Sequence, residues 1–435
     1  MKRLLIVPSL IISSLAFAQN NTSKVFFLMF SFIWMILFTS LTKAQSSIDS
    51  LKKSLWISEV KYQDPTTKIY LGSPSLIKLT NGDILVTHDY FGSGLKKDHL
   101  GRSNKTSVYR SNDNGKSWKH LTDIDGMYWA TLFDYRGKIY LLGTTSANGS
   151  IAIRRSTDEG KTWSKPSGPK RGLLFEEGAN GEAPRYHGAP TPVVKYKGRL
   201  YRAFENWEDQ KLKGFRGLKS LIISIDENDD LLDASKWTMS NQLAFDALAW
   251  DPPKSFTTTG WLEGNMIEGP DGKLWNILRV NSTPFFDRAA MVEIKDNGKT
   301  AAFSPNQFIK FPGGQSKFVI RKDPKTNIYW AITNNNTNGK DAVQRNVLSL
   351  FASKDLTEWH HAKTLIEDNL GLSEKQSMAL TGFQYPDWQF DENNIIYLSR
   401  TAYGSGVPRY HDSNYITFGR LEDFRKYTPE NLKKK

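Results

Sequence analysis

Cysteine is absent from the 435 residues. That excludes a disulfide framework, a thiol nucleophile, a thiolate metal site and a lipid anchor on an N-terminal cysteine. Helical periodicity is scarce, with short candidates only at Leu231–Ser235 and Asn369–Gln376. No His-Glu-x-x-His motif and no regular Asp/Asn calcium loop occurs, so neither metal nor cofactor is expected. Acidic residues are outnumbered by Lys and Arg, 45 to 58, for a formal charge of +13. Apart from the terminal Lys433–Lys435 the bases are scattered, without the stripe or module that a nucleic-acid binder requires. The excess favours acidic partners, and an acidic glycan fits better than nucleic acid.

Residues 1–19 have the form of an export signal: Lys2-Arg3, an apolar run, then Ala16-Phe17-Ala18 before Gln19. A second copy follows, with Lys24, the apolar run Val25–Leu41 and Thr42-Lys43-Ala44. Cleavage near Ala44 is expected, giving an exported protein that is periplasmic, cell-surface or secreted. The alternative is retention of Val25–Leu41 as a short membrane anchor, although its length is marginal for a span.

What is plentiful is aromatic: 13 Trp, 17 Tyr and 24 Phe, ample for packing sheets and stacking on sugar rings. From residue 54 onward a unit recurs about every sixty residues. Each unit opens on a hairpin of alternating apolar residues around a tight turn: Asn81-Gly82, Arg136-Gly137, Lys197-Gly198 and Gly269-Pro270-Asp271-Gly272 in the first four. The remaining two begin near Lys317 and Gln384. Six units of four strands predict an all-β fold, a six-bladed propeller of antiparallel blades over residues 54–430. The lone strand around Trp56 should complete the last blade and close the ring. The long segments Gly92–Lys105, Leu173–Tyr186 and Gly404–Ser413 should shape a binding face.

Two segments follow Ser-x-Asp-x-Gly-x-Ser/Thr-Trp, Ser111–Trp118 and Ser156–Trp163, and Ser353–Trp359 is a degenerate third. In each the Asp accepts turn N–H groups, Gly supplies a positive φ and Trp packs on the blade. These Asp-boxes on six blades resemble the sialidase (neuraminidase) superfamily over roughly Trp56–Tyr427. The resemblance implies a Glu opening the fourth blade and an Arg ending its second strand, where Glu263 and Arg279 stand. It implies a nucleophilic Tyr opening the sixth, where Tyr385 stands. The sequence departs from the pattern at two clamp positions. Gly72-Ser73-Pro74 replaces an Arg-containing triplet in the first blade, and Lys317 stands where the fifth supplies an Arg.

The chemistry agrees with these residue types. A phenol of pKa about 10 needs a neighbouring carboxylate to take its proton, so Glu263 is the expected base for Tyr385. Asp89, at the end of the first blade's second strand, is the expected proton donor, with Asp98 in the following loop the alternative. Arg279, His88, His187, Lys317, Asp387, Arg400 and His411 are the candidate substrate-binding residues, and Arg185, Tyr186, Glu205 and Asp412 share the same strand ends. The expected activity is a retaining glycoside hydrolase acting on an acidic or unusual sugar, as a monomer. Two rivals stand beside it. One is a polysaccharide lyase or non-sialic exo-glycosidase; the other is a glycan-binding propeller without catalysis.

Overall fold

The computed structural model describes residues 51–432 except 210, 213, 251–258, 282–286, 340, 342 and 343. Both export-signal-like segments lie outside the described residues. From Leu55 onward the chain forms one unit, and that unit is a six-bladed all-β propeller with mostly four-stranded antiparallel blades. The first blade runs Tyr70–Lys78, Ile84–Phe91, Lys105–Ser111 and Lys119–Asp125, from the axis outward. In the sixth blade, Gly382–Asp391, Asn394–Ala402 and Tyr415–Leu421 are joined by Ser58–Tyr62 as outermost strand, so the two ends of the propeller chain close the ring. Trp56 packs edge-on against Tyr403 and beside Tyr415 at this closure.

The hairpin turns form as their residues dictate. Both central residues of Arg136-Gly137 and of Lys197-Gly198 take positive φ, the arrangement that matches strand twist. The third blade departs from the expected pattern. Its innermost strand is broken into Tyr186–His187 and Val194–Tyr196, because Pro190 and Pro192 lie between and have no N–H to give the ladder.

The Ser-x-Asp turns join third to fourth strands, at the opposite end of the blades from Glu263 and Tyr385. Asp113 accepts N–H groups of Lys116 and Ser117 at 3.0 and 2.9 Å. Each turn also docks on the preceding blade. A Cβ on Gly115 would meet Phe418 of the sixth blade, and Trp359 packs edge-on against Phe311, 5.0 Å between ring centres.

The innermost strands are stitched side by side around the axis. Ser75 accepts from the Leu132 N–H (3.0 Å), Thr131 donates to the Thr191 carbonyl (2.8 Å), and Thr191 donates to the Gly264 carbonyl (2.8 Å). Asn265 accepts from the Ile320 N–H, Lys317 donates to the Pro386 carbonyl, and Asp387 accepts from Leu76 N–H and Ser75 hydroxyl at 2.9 Å each. Every junction of the ring is thereby bridged. Arg202, fully buried, donates to Thr131 and Thr191, and Arg321 pairs with Asp387 at 3.4 Å.

Asp387 is the carboxylate that acts on all three of Lys317, Arg202 and Arg321, and burial already pushes the Lys317 ammonium down to about 7. Asp387→Ala should therefore destabilise the fold by about 3–5 kcal/mol, since it strands buried cations and donors. Chemical denaturation of the two proteins measures the difference; an unchanged midpoint would show that the axis tolerates the loss.

Candidate active site

Four innermost strands carry a β-bulge at the same level, each with two residues facing one on the second strand: Gly72-Ser73, Trp129-Ala130, Glu263-Gly264 and Tyr385-Pro386. A bulge bends its strand and re-aims a side chain. Trp129, Glu263 and Tyr385 sit there with φ of 47°, 57° and 51°. For bulky non-glycine residues that region costs about 1–3 kcal/mol each and persists only where surroundings enforce it.

Two buried carboxylates supply the enforcement. Glu205, at the end of the third blade's second strand, accepts the Glu263 N–H at 2.6 Å. Asp89, at the equivalent place in the first blade, accepts the Trp129 N–H at 3.1 Å and the Ser73 N–H at 2.8 Å. In both cases an acid on one blade holds the left-handed residue of the next. Gly72 is required by this arrangement, because a Cβ there would lie 1.5 Å from an Asp89 carboxylate oxygen.

The bulges deliver Glu263 and Tyr385 to one cluster. Arg279 donates to the Glu263 carboxylate at 2.8 Å and to the Gln315 carbonyl at 2.8 Å. Glu263 and the Tyr385 hydroxyl both stabilise its charge, raising its pKa against the effect of burial. Burial favours protonated Glu263, but the charges of Arg279 and His187 outweigh it and hold the carboxyl below its ordinary value. Glu263 is thus ionised and able to accept a proton. Arg400 lies over the Tyr385 ring at 4.7 Å and Arg345 at 5.7 Å.

Arg400 donates to the Ser413 hydroxyl and the His411 carbonyl, and Arg345 to the Gln384 side chain. Neither forms an ion pair with a carboxylate among the described residues, and the Arg345 Nε is buried without a partner. Burial, then the positive charge of Arg279, pushes the pKa of Arg345 down. Beside the cluster, His187 Nδ1 is 2.7 Å from Glu205 Oε2, and the imidazole lies against Trp129 with ring centres 4.3 Å apart.

The sequence candidates separate into groups. Glu263, Arg279, Tyr385 and Arg400 are brought together, with His187 at the side. His411 lines the same end, edge-on to Phe91 at 5.2 Å, and near Asp412 at 3.2 Å. Asp89 is buried at the edge of the group with both oxygens bonded to backbone. Burial outweighs those bonds and raises its pKa to about 7.

Lys317 and Asp387 lie within the stitched axis, in contact with protein groups. His88 turns away into the first blade, stacked on Tyr109 at 5.4 Å, with Nδ1 3.0 Å from the Asp89 carbonyl. Asp98 is held in its loop by Arg102 at 3.0 Å, and Arg102 also pairs with Glu177. Arg185 lies over Trp207 at 5.5 Å. Arg345 has no place among the sequence candidates; the signal that marks it is its position just before Val347–Ser353, at the strand end the other site residues share. Among the described residues no group of three or more His, Asp or Glu is arranged to hold a metal ion.

No protein-family model matches this sequence, and comparison with curated proteins finds no match. Solved structures do share the fold. The α-L-arabinanase of Penicillium chrysogenum is 14% identical with a TM-score of 0.52, over 86% of this chain and 98% of that one. The α-L-arabinofuranosidase of Fusarium graminearum is 13% identical with a TM-score of 0.53, over 85% and 98%. The intramolecular trans-sialidase of Ruminococcus gnavus is 12% identical with a TM-score of 0.51, over 87% and 99%. At these identities the likeness is one of fold: the chain shares the six-bladed propeller with these enzymes.

Asp89 gives a pH signature of stability. Unfolded, its carboxyl ionises near 3.8; folded, it keeps its proton to about 7. Between these values the native state binds more protons, so Asp89 makes stability fall as pH rises, levelling off above about 7. Thermal midpoints from pH 4 to 8 should show this slope, and Asp89→Asn should flatten it.

Proposed function

We propose that this protein is a glycoside hydrolase that removes an anionic sugar from a glycan with retention of configuration. The observation that carries the reading is the convergence of Arg279, Arg345 and Arg400 on Tyr385. Among the described residues, only Arg279 has a carboxylate partner there. Two buried guanidiniums without counter-ions call for an anion, and a guanidinium binds carboxylate or sulfate through paired N–H bonds. The clamp would then be rebuilt on other blades than the sialidase resemblance implies, with Arg345 and Arg400 in place of the missing first-blade arginine and of Lys317.

In this reading the Tyr385 oxygen attacks the anomeric carbon while Glu263 takes the phenol proton. A neutral nucleophile avoids repulsion by a substrate anion next to the reacting carbon, and Arg279 holds acid and phenol on one guanidinium. The bond to the leaving group breaks as the glycosyl–tyrosine bond forms. Water then cleaves the intermediate, and Glu263 returns its proton to Tyr385. The solved neighbours named as an α-L-arabinanase, an α-L-arabinofuranosidase and an intramolecular trans-sialidase support glycan chemistry in general. The two export-signal-like segments agree with action on glycans outside the cytoplasm.

The test is a screen of purified protein against sialosides, uronate- and sulfate-bearing oligosaccharides and neutral arabinosides, read by mass spectrometry. Release of an anionic sugar is expected, with activity abolished in Tyr385→Phe. Arg345→Ala should lower kcat/KM by about 10- to 100-fold, the worth of a charge-assisted hydrogen bond. Equal turnover of neutral sugars, or full activity of Tyr385→Phe, would overturn the reading; a new absorbance from an unsaturated uronide would make the enzyme a lyase.

A further inference from the structure

Departure of the aglycone needs a proton at the glycosidic oxygen, and the buried acids are poorly placed to give it. Asp89 lies under two bulges, with one oxygen on the Ser73 N–H and the other on the Trp129 N–H, and its flank is closed by Gly72. A proton leaving Asp89 would have to pass those backbone groups. Glu205 is likewise committed, one oxygen to the Glu263 N–H and the other to His187 Nδ1.

His187 is different. Its side chain stays 14% exposed while its partner Glu205 is fully buried, so the dyad has a buried carboxylate behind and an imidazole edge in front. With Nδ1 fixed on the carboxylate, Nε2 is the ring nitrogen left to meet a substrate. The Nδ1 contact fixes the direction of the ring, and a proton donor must be held in line with the oxygen it serves. The same Glu205 carboxylate grips the Glu263 backbone, so the position of the imidazole is tied to that of the proposed base. Trp129, raised by its own bulge, lies 4.3 Å from the imidazole and offers an aromatic face on which a leaving sugar can stack.

We propose that His187, oriented by Glu205, is the proton donor and then the base of this site, with Trp129 as the platform for the leaving sugar. The proposal rests on the glycosidase reading above. In the first step the imidazolium gives its Nε2 proton to the glycosidic oxygen as the C–O bond breaks. In the second step, neutral His187 takes a proton from the water that attacks the glycosyl–tyrosine. The imidazolium is restored and one water is consumed. Glu205 is a positioning residue: it holds the ring by Nδ1 and does not touch substrate.

The experiment uses pairs of glycosides of the same anionic sugar, one with a 4-nitrophenyl aglycone and one with a sugar or alkyl aglycone. A nitrophenolate leaves without help; an alkoxide needs the proton. His187→Asn keeps an N–H toward Glu205 and deletes Nε2. It should lose on the order of 10²- to 10⁴-fold in kcat on the alkyl and sugar glycosides, and roughly tenfold or less on the nitrophenyl partner. Glu205→Gln should show the same leaving-group pattern, with KM within about twofold of wild type, and serves as the test should His187→Asn fail to fold by thermal midpoint.

Equal losses on both aglycones in both variants would reduce the dyad to a structural contact. The leaving-group pattern appearing in Asp89→Asn instead would return the role to Asp89. No turnover of any pair by the wild-type enzyme would fell the glycosidase reading itself, and the proposal with it.

Discussion

A propeller leaves the innermost strand of every blade with one row of backbone groups turned toward the next blade and no strand to pair with. Unpaired backbone polar groups away from water are costly, so the ring depends on side chains that bridge blade to blade. Here Ser75, Thr131, Thr191, Asn265, Lys317 and Asp387 do so at successive junctions. The stitching draws Arg202, Arg321 and Lys317 into the axis with Asp387 as the carboxylate they share, which makes the axis a dense polar plug rather than an apolar core. The apolar packing lies between blade faces, as in the cluster of Trp330, Leu350, Phe383 and Trp388 between the fifth and sixth.

The plug fixes the level at which the strands can depart from regular pairing. Just above it four of them bulge, and three bulges hold a bulky residue in the left-handed region. Asp89 and Glu205 hold two of these strained residues by their N–H groups, each reaching from the preceding blade. The acids therefore link architecture to chemistry. The same hydrogen bond that makes a strained backbone tolerable also sets where Trp129 or Glu263 points. The positive charge of the cluster has a similar origin: Arg345 and Arg400 are bound by neutral oxygens, and among the described residues neither pairs with a carboxylate.

The number of blades, their hairpins and the closing strand were legible in the sequence, because alternation and turn residues act over a few positions and mean the same thing in any blade. Glu263, Arg279, Tyr385 and Arg400 could be picked out by place within the repeat. Lys317 and His88 show where that logic runs out. One residue along a strand reverses the facing of a side chain, so His88 enters the blade while Asp89 approaches the axis. Lys317 has the right strand end but is fully buried, its ammonium held by the Pro386 carbonyl. Arg345 was passed over because it lies just before Val347–Ser353 rather than in the strand, where alternation says nothing about facing. The broken inner strand of the third blade was readable in principle, since Pro190 and Pro192 forbid the ladder that the hairpin pattern suggests.

By itself, then, the sequence determined the local matters: alternating strands, glycine-bearing turns, the Ser-x-Asp turns and the exclusion of thiol chemistry, each governed by a handful of adjacent residues. Only the tertiary structure decided which charges meet. Arg279, Arg345 and Arg400 come from three blades, and Glu205 reaches Glu263 across fifty-eight positions of chain. Electrostatic partnership depends on distance through space, and ring closure sets that distance.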